Sequence, residues 1–420
     1  MINVRETAMK VIYDVEFNGA YSNMALKKTL NTAELENHDK TFMTALVYGV
    51  IDKKITLDYV ISRYSKLKLK KISKYILVIL RMGIYQIMFM DKIPSSAAVN
   101  ESVKLAKKYG HGASAGFVNG VLRNVSKGQI EYPEDRNEYL SVKYSFPMWI
   151  CEKWIDDFGY DFTENLMSAF SEPSRLIIRP NILKISADKL CEELCRQNAE
   201  AFTEDGYIVC KGFDISNDSL YKNGYYTVQD AAAMQASKVL APCEGDTVID
   251  MCAAPGGKTT HIAELMSNKG KIYAFDVHEH KLNLINKNAK RLGVTIIETA
   301  LSDGTVFDSK YKETADKVLC DVPCSGLGII RRKPEIKWNR EENNNLPQIQ
   351  RQILESASQY LKRGGELVYS TCTLNKEENE EVTGDFLKDN TGFEKLYEKT
   401  FYPHIDNTDG FYICKMKRNK

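Results

Sequence analysis

The sequence has no long hydrophobic run, no C-x-x-C pair, no internal repeat or low-complexity tract, and almost no net charge. Its longest apolar stretch, Tyr75 to Leu80, is far short of the roughly 20 residues that cross a bilayer, so no membrane span is expected. Met1-Ile2-Asn3-Val4-Arg5-Glu6 meets charge before a secretory apolar region can form, which predicts a cytoplasmic protein. Ten cysteines in 420 residues form no dense framework, so reduced thiols are expected and neither a disulfide scaffold nor a metal site is. Cys191 and Cys195 fit one face of an ordinary helix, and Cys243, Cys252 and Cys320 read as small buried hydrophobes.

What is present is unevenly spread. The net charge of +1 divides into 20 Lys and Arg against 10 Asp and Glu up to residue 130, and 37 against 46 beyond it. Lys66, Lys68, Lys70, Lys71 and Lys74, with Lys104, Lys107 and Lys108, supply much of the basic end. A single lysine run is commonly a solvated face, but segregation over 130 residues suits a surface that neutralises nucleic-acid phosphates. Lys70, Lys71 and Lys74 are the candidate contacts there.

Hydrophobic periodicity divides the chain. Ala8, Val11, Ile12 and Val15, then Phe42, Leu46, Val47 and Val50, then Tyr75, Val78, Ile79, Met82 and Ile87 recur at helical spacing. Residues 1–128 are therefore expected to be all-α, with a helix starting near Ser95 or Ser96 and a break at Gly110-His111-Gly112. The polar, proline-containing stretch after Lys127 predicts a linker over 129–145. Residues 146–223 mix helical patterns (Met148 to Phe158, Ala187 to Asn198) with extended ones (Leu176 to Arg179, Tyr207 to Cys210), a small α+β module. From 224 to 420 strands and helices alternate, which predicts an α/β, Rossmann-like domain with a parallel sheet.

Three apolar strands in that last segment end in chemically loaded turns. Thr247-Val248-Ile249-Asp250 runs into Met251-Cys252-Ala253-Ala254-Pro255-Gly256-Gly257-Lys258. Val318-Leu319-Cys320 precedes Asp321-Val322-Pro323-Cys324-Ser325-Gly326, and Glu366-Leu367-Val368-Tyr369 precedes Ser370-Thr371-Cys372-Thr373. Open α/β sheets bind ligands at such carboxyl ends. The glycine turn ends like a Walker loop at Gly257-Lys258-Thr259, but Cys252 occupies the position of the first glycine, and G-x-G-x-x-G is also missing. ATP and nicotinamide readings are thereby weakened. Asp276, closing a strand at Lys271 to Phe275, can accept both ribose hydroxyls, and Asp303 can accept from an adenine amine. A strand-end cap is the bland alternative for each. Together with Asp321 these acids suit S-adenosyl-L-methionine. His261, His278 and His280 have no Ser or Asp constellation and read as surface residues.

The segments from Asp250 to Thr260, Asp321 to Gly326 and Ser370 to Leu374 resemble the signature motifs of the RNA cytosine-5 methyltransferases. The chain as a whole is similar to the RsmB (Sun, Fmu) branch, which modifies bacterial 16S ribosomal RNA. Ala97-Ala98-Val99-Asn100-Glu101 and Gly116 to Arg123 resemble the NusB-like helical domain of that branch; Val228-Gln229-Asp230 and Asp409 to Tyr412 also match it. The resemblance implies Cys372 as the nucleophile that adds to cytosine carbon 6 and Cys324 as the base that releases the product. It further implies Asp321 at cytosine nitrogen 3, Lys258 tuning a cysteine or orienting the base, and Cys252 to Lys258 (Cys252, Ala253, Ala254, Pro255, Gly256, Gly257) around the cofactor. The implied substrate position is cytosine 967. A flexible basic turn at Arg331-Arg332 is expected at the mouth of the site, holding RNA phosphates unless it is simply a solvated loop. A monomer is expected. Transfer RNA as the substrate, or an assembly factor that binds RNA without catalysis, are the alternatives.

Overall fold

The computed structural model describes residues 3–33, 35–213, 215–338 and 345–419. Two compact units emerge: Met1–Glu172 with Ile330–Arg340, and Pro173–Ile329 with Glu341–Lys420.

The first unit holds ten α-helices among its described residues, from Val4–Asn18 to Tyr160–Ser171. Its core is the expected periodic set: Ala8, Val11, Ile12, Leu46, Val47, Val50, Val78, Ile79 and Met82 are all buried. The long apolar run stops at Arg81, which is itself buried and paired with Glu16 and with Asp58 at 2.7 Å. The expected linker is a correction. Within 129–145, Asp135 caps a helix at Arg136–Tyr144 by accepting from the backbone of Asn137 and Glu138, and Leu140, Val142 and Tyr144 are buried. That helix and the next two, Met148–Phe158 and Tyr160–Ser171, complete the helical unit, with Thr56 Oγ1 donating to Val142 O at 2.6 Å. The basic turn is a second correction. Residues 330–338 are folded into this unit through a short helix at Pro334–Trp338. Lys337, fully buried, donates to Asp52 Oδ1 (2.6 Å) and Ser145 O (2.9 Å), and Glu335 accepts from Ser22 Oγ at 2.8 Å. Arg331 and Arg332 are half-buried at the start of that segment.

Among its described residues the second unit has two sheets. β1 (Leu176–Pro180), β2 (Glu200–Glu204), β3 (Tyr207–Lys211) and β4 (Tyr226–Val228) form an antiparallel sheet in the order β2-β3-β1-β4, covered by helix Ala187–Arg196. β4 pairs with β1 across the expected 223/224 boundary, so the small module closes only with residues assigned by pattern to the catalytic segment. β5 (Thr247–Asp250), β6 (Lys271–Asp276), β7 (Ile297–Leu301), β8 (Ala315–Asp321), β9 (Leu361–Thr371), β10 (Phe393–Phe401) and β11 (Phe411–Arg418) form the large sheet, ordered β10-β11-β9-β8-β5-β6-β7. The five strands β9-β8-β5-β6-β7 are parallel and β10 and β11 add an antiparallel edge. Period-2 alternation puts Ile249, Val318, Cys320, Leu367 and Tyr369 into one core and Val248, Leu319 and Val368 into another. That is why these strands read as continuous apolar runs. The chain proceeds outward from β5 to β6 and β7, then returns to β8 on the other side of β5, and the crevice at that reversal is where such sheets hold ligands.

Candidate active site

Four neighbouring parallel strands carry acids or thiols at or just beyond their carboxyl ends: Asp276 on β6, Asp250 on β5, Asp321 on β8 and Cys372 just past β9. Beyond β5 the chain turns through 251–256 into helix Gly257–Leu265. Gly256 has φ +99, and a Cβ there would lie 3.2 Å from the Ile285 backbone, so only glycine lets the turn lie this close to helix Glu279–Leu292.

The turn aims Lys258 at β8. Lys258 Nζ donates to Asp321 Oδ2 at 2.7 Å, and Ser370 Oγ donates to Asp321 Oδ1 at 2.9 Å. Burial alone would lower the Lys258 pKa; the charge of Asp321 and the hydrogen bond to it outweigh this and raise it, so the ammonium persists. Cys324 and Cys372, 48 residues apart in sequence, have their sulfurs 3.2 Å apart. The hydrogen bond to Cys372, and then burial, push the Cys324 thiol well up.

Both cysteine loops are tightly held. Gly328 N donates to Cys372 O (2.9 Å) and Gly410 N to Gly328 O (2.8 Å), a crossing in which a Cβ on Gly328 would sit 2.0 Å from Gly410 O. Ser325 Oγ and Thr373 Oγ1 are 2.7 Å apart. Glu378, buried, accepts from Ser325 N (2.8 Å) and Gln350 Nε2 (2.9 Å). Gln350 and Glu378 escaped the sequence reading, and Ser370, though inside the Cys372 motif, was given no role there. The one signal for Glu378 was an acid six residues past Cys372 beside an apolar helix pattern.

The cofactor candidates lie along the same edge. Asp250 is buried; Thr259 Oγ1 donates to its Oδ2 (2.7 Å), while Oδ1 takes no hydrogen bond among the described residues. Burial raises its pKa to about 7. Asp276 is buried and accepts from His278 N at 2.9 Å. Val277 and Val306, next to Asp276 and near Asp303, are exposed although apolar. Asp303 is exposed and accepts from Thr305 N and Oγ1. Acceptors beside uncovered apolar side chains fit a nucleoside: ribose and amine donors on one side, a base face on the other. Cys320 is core, Cys243 is exposed rather than buried, and Cys252 is half-buried. His261 is buried rather than on the surface, kept neutral by burial and the nearby Arg179. Lys70, Lys71 and Lys74 are exposed, in the helical unit, with Lys74 Nζ 4.7 Å from the centre of the Phe17 ring.

Comparison with known proteins matches this architecture. Residues 237–417 match the model of the 16S rRNA methyltransferase RsmB/F family, and residues 2–127 that of the NusB family. The probable ribosomal RNA small subunit methyltransferase B of Bacillus subtilis is 36% identical over 99% of both chains, and its Shewanella oneidensis counterpart is 30% identical over 99% of both. The crystal structure of PH0851 superposes with a TM-score of 0.83 at 28% identity, covering 100% of this chain and 99% of that one. A methyltransferase homolog from Pyrococcus horikoshii gives 0.60 at 30% identity over 66% of this chain and 97% of its own. Matched end to end by such relatives, with a helical NusB-like portion ahead of a methyltransferase sheet, the chain belongs to the RsmB/F family of 16S rRNA methyltransferases.

Proposed function

We propose that this enzyme methylates carbon 5 of a cytosine in 16S ribosomal RNA, cytosine 967 by its family, through a covalent bond between Cys372 and carbon 6. The observation that carries the reading is the 3.2 Å approach of Cys324 and Cys372 beside the Lys258–Asp321 pair. One thiol suffices for simple nucleophilic catalysis. Two in contact suit a reaction that adds a nucleophile and later removes a proton nearby. Cys372 adds to carbon 6. Asp321, held by Lys258 and Ser370, is assigned to the cytosine edge at nitrogen 3, and the Lys258 ammonium behind it offsets the negative charge that the addition pushes into the ring. S-adenosyl-L-methionine, which the orphaned Asp250 oxygen, the Gly256 turn and Asp276 are suited to hold, supplies an electrophilic methyl group to carbon 5 when bound. Cys324 then takes the carbon 5 proton, the ring double bond re-forms, and the Cys372 sulfur leaves as a thiolate. Lys70, Lys71 and Lys74, exposed in the helical unit, are assigned to RNA phosphates. Bisulfite mapping of 16S ribosomal RNA from cells with and without the protein tests the reading: one protected cytosine must become convertible when the protein is absent. An unchanged 16S map with a changed transfer RNA would favour the transfer RNA alternative.

A further inference from the structure

Two identical side chains in contact need something to tell them apart. The charges around them are arranged asymmetrically. Lys258, an ammonium held by Asp321 at 2.7 Å, lies within electrostatic reach of Cys372. On the Cys324 side stands Glu378. Its Oε2 accepts from the N–H of Ser325, the residue after Cys324, at 2.8 Å, and from Gln350 Nε2 at 2.9 Å. That same Gln350 nitrogen donates to the carbonyl of Pro323, the residue before Cys324, at 2.9 Å. Asn375 Nδ2 donates to the other carboxylate oxygen at 3.0 Å. All these donors are neutral, and among the described residues no cation pairs with Glu378, which is 1% exposed. A buried carboxylate supplied only with neutral donors leaves its charge uncancelled in a medium of low dielectric.

Resting on the covalent reading above, we propose that Glu378 is a positioning residue that sets the order in which the two thiols ionise. Its charge keeps the proton on Cys324 while Lys258 favours the Cys372 thiolate, so that Cys372 alone attacks. Once the Cys372 sulfur is bonded to carbon 6 it no longer carries negative charge, and Cys324 gives its proton to solvent. The thiolate formed beside Glu378 is a stronger base for that. The carbon 5–hydrogen bond breaks, its proton goes to Cys324 Sγ, its electron pair becomes the ring double bond, and the Cys372–carbon 6 pair departs with sulfur. The titratable groups facing Cys324 are Cys372, Glu378 and Tyr369, whose hydroxyl donates to Glu378 O at 2.6 Å; those on the Cys372 side are Lys258 and Asp321.

The test follows decay of the covalent protein–RNA complex against pH, by denaturing electrophoresis after rapid quenching, in the full-length protein. Glu378→Gln keeps one acceptor for Ser325 and Gln350 and removes the charge; the alkaline rise in decay rate should move toward acid by roughly one pH unit. Glu378→Asp keeps the charge, so its rise should stay at the wild-type pH even if the rate falls. Superimposable midpoints for wild type and Glu378→Gln would overturn the proposal. Should the variants not fold, alkylation of the wild-type protein by iodoacetamide, read by peptide mass, still decides: Cys372 must react at lower pH than Cys324, and the reverse order refutes the assignment. A wild-type protein that forms no adduct at any pH would instead sink the covalent reading itself.

Discussion

Replacing Arg179 with methionine should cost the second unit several kcal/mol, and the cost should depend on pH. Arg179 stands on β1, buried, and reaches into helix Gly257–Leu265, which follows the turn through 251–256. It donates to the side chain of Gln229, to Gly257 O (2.6 Å), to Thr260 Oγ1 (3.2 Å) and to Glu264 Oε1 (2.8 Å). Glu264 is equally buried, and its other oxygen takes no hydrogen bond among the described residues. Burial already pushes its carboxyl up despite the arginine. Without the guanidinium, Glu264 will hold a proton in the folded state. Keeping a carboxyl of unfolded pKa about 4.3 protonated costs about 3.7 kcal/mol at pH 7 and about 1 kcal/mol at pH 5. The folded-state pKa is raised, so the penalty grows as pH climbs above the unfolded value and vanishes below it. Lost hydrogen bonds to Gly257 and Gln229 add roughly 1 to 2 kcal/mol at any pH. Because the wild-type carboxyl, already raised, carries part of the same penalty, the expected loss is at most about 5 kcal/mol at pH 7 and at most about 2 to 3 kcal/mol at pH 5. A second change, Glu264→Gln, should abolish the pH-dependent part. Urea unfolding followed by circular dichroism measures this; tryptophan fluorescence does not, because Trp149, Trp154 and Trp338 all belong to the helical unit. Equal losses at pH 5 and pH 7, or a loss under about 1 kcal/mol at pH 7, would refute the reasoning.

Asp250→Asn should flatten the fall of stability with rising pH. The folded pKa of about 7 exceeds the unfolded one, so wild type loses stability between about pH 4 and 7 and the variant, in urea titrations, does not. Asp276→Ala should weaken S-adenosyl-L-methionine binding by about 1 to 3 kcal/mol in calorimetry, the cost of stranding buried donors of the ligand; unchanged affinity would move the ribose elsewhere. Lys70→Ala, Lys71→Ala and Lys74→Ala combined should lower the slope of log affinity for 16S RNA against log salt by roughly 2 to 3, and an unchanged slope would remove these lysines from the RNA path.

Much of the candidate site was legible because short parallel strands announce themselves twice, in apolar runs and in the turns that end them. Asp250, Asp276, Asp321, Cys324 and Cys372 each follow a run buried on both faces, and the sheet brings them to one edge. What stayed hidden was long-range. Ser325 meets Glu378 across 53 residues and Lys337 meets Asp52 across 285, and neither partner carries a local signature. Polarity misled at 129–145, where the amphipathic helix Arg136–Tyr144 is short enough for its charged face to dominate the pattern. It misled again at Arg331-Arg332, since a basic run looks solvated until Lys337 and Glu335 behind it prove buried. β4 went unread because three residues give no alternation to count.

The central claim is that Cys372 bonds to the base and Cys324 releases it, and the two single alanine variants separate these acts. Losing the nucleophile stops the reaction before a bond forms; losing the release base stops it with enzyme and RNA still joined. Cys324→Ala incubated with 16S RNA and S-adenosyl-L-methionine should therefore accumulate a complex that survives denaturing electrophoresis and disappears on nuclease treatment, whereas Cys372→Ala should be inactive and free of adduct. Adduct from Cys372→Ala and none from Cys324→Ala would reverse the assignment, and adduct from neither would contradict the covalent mechanism.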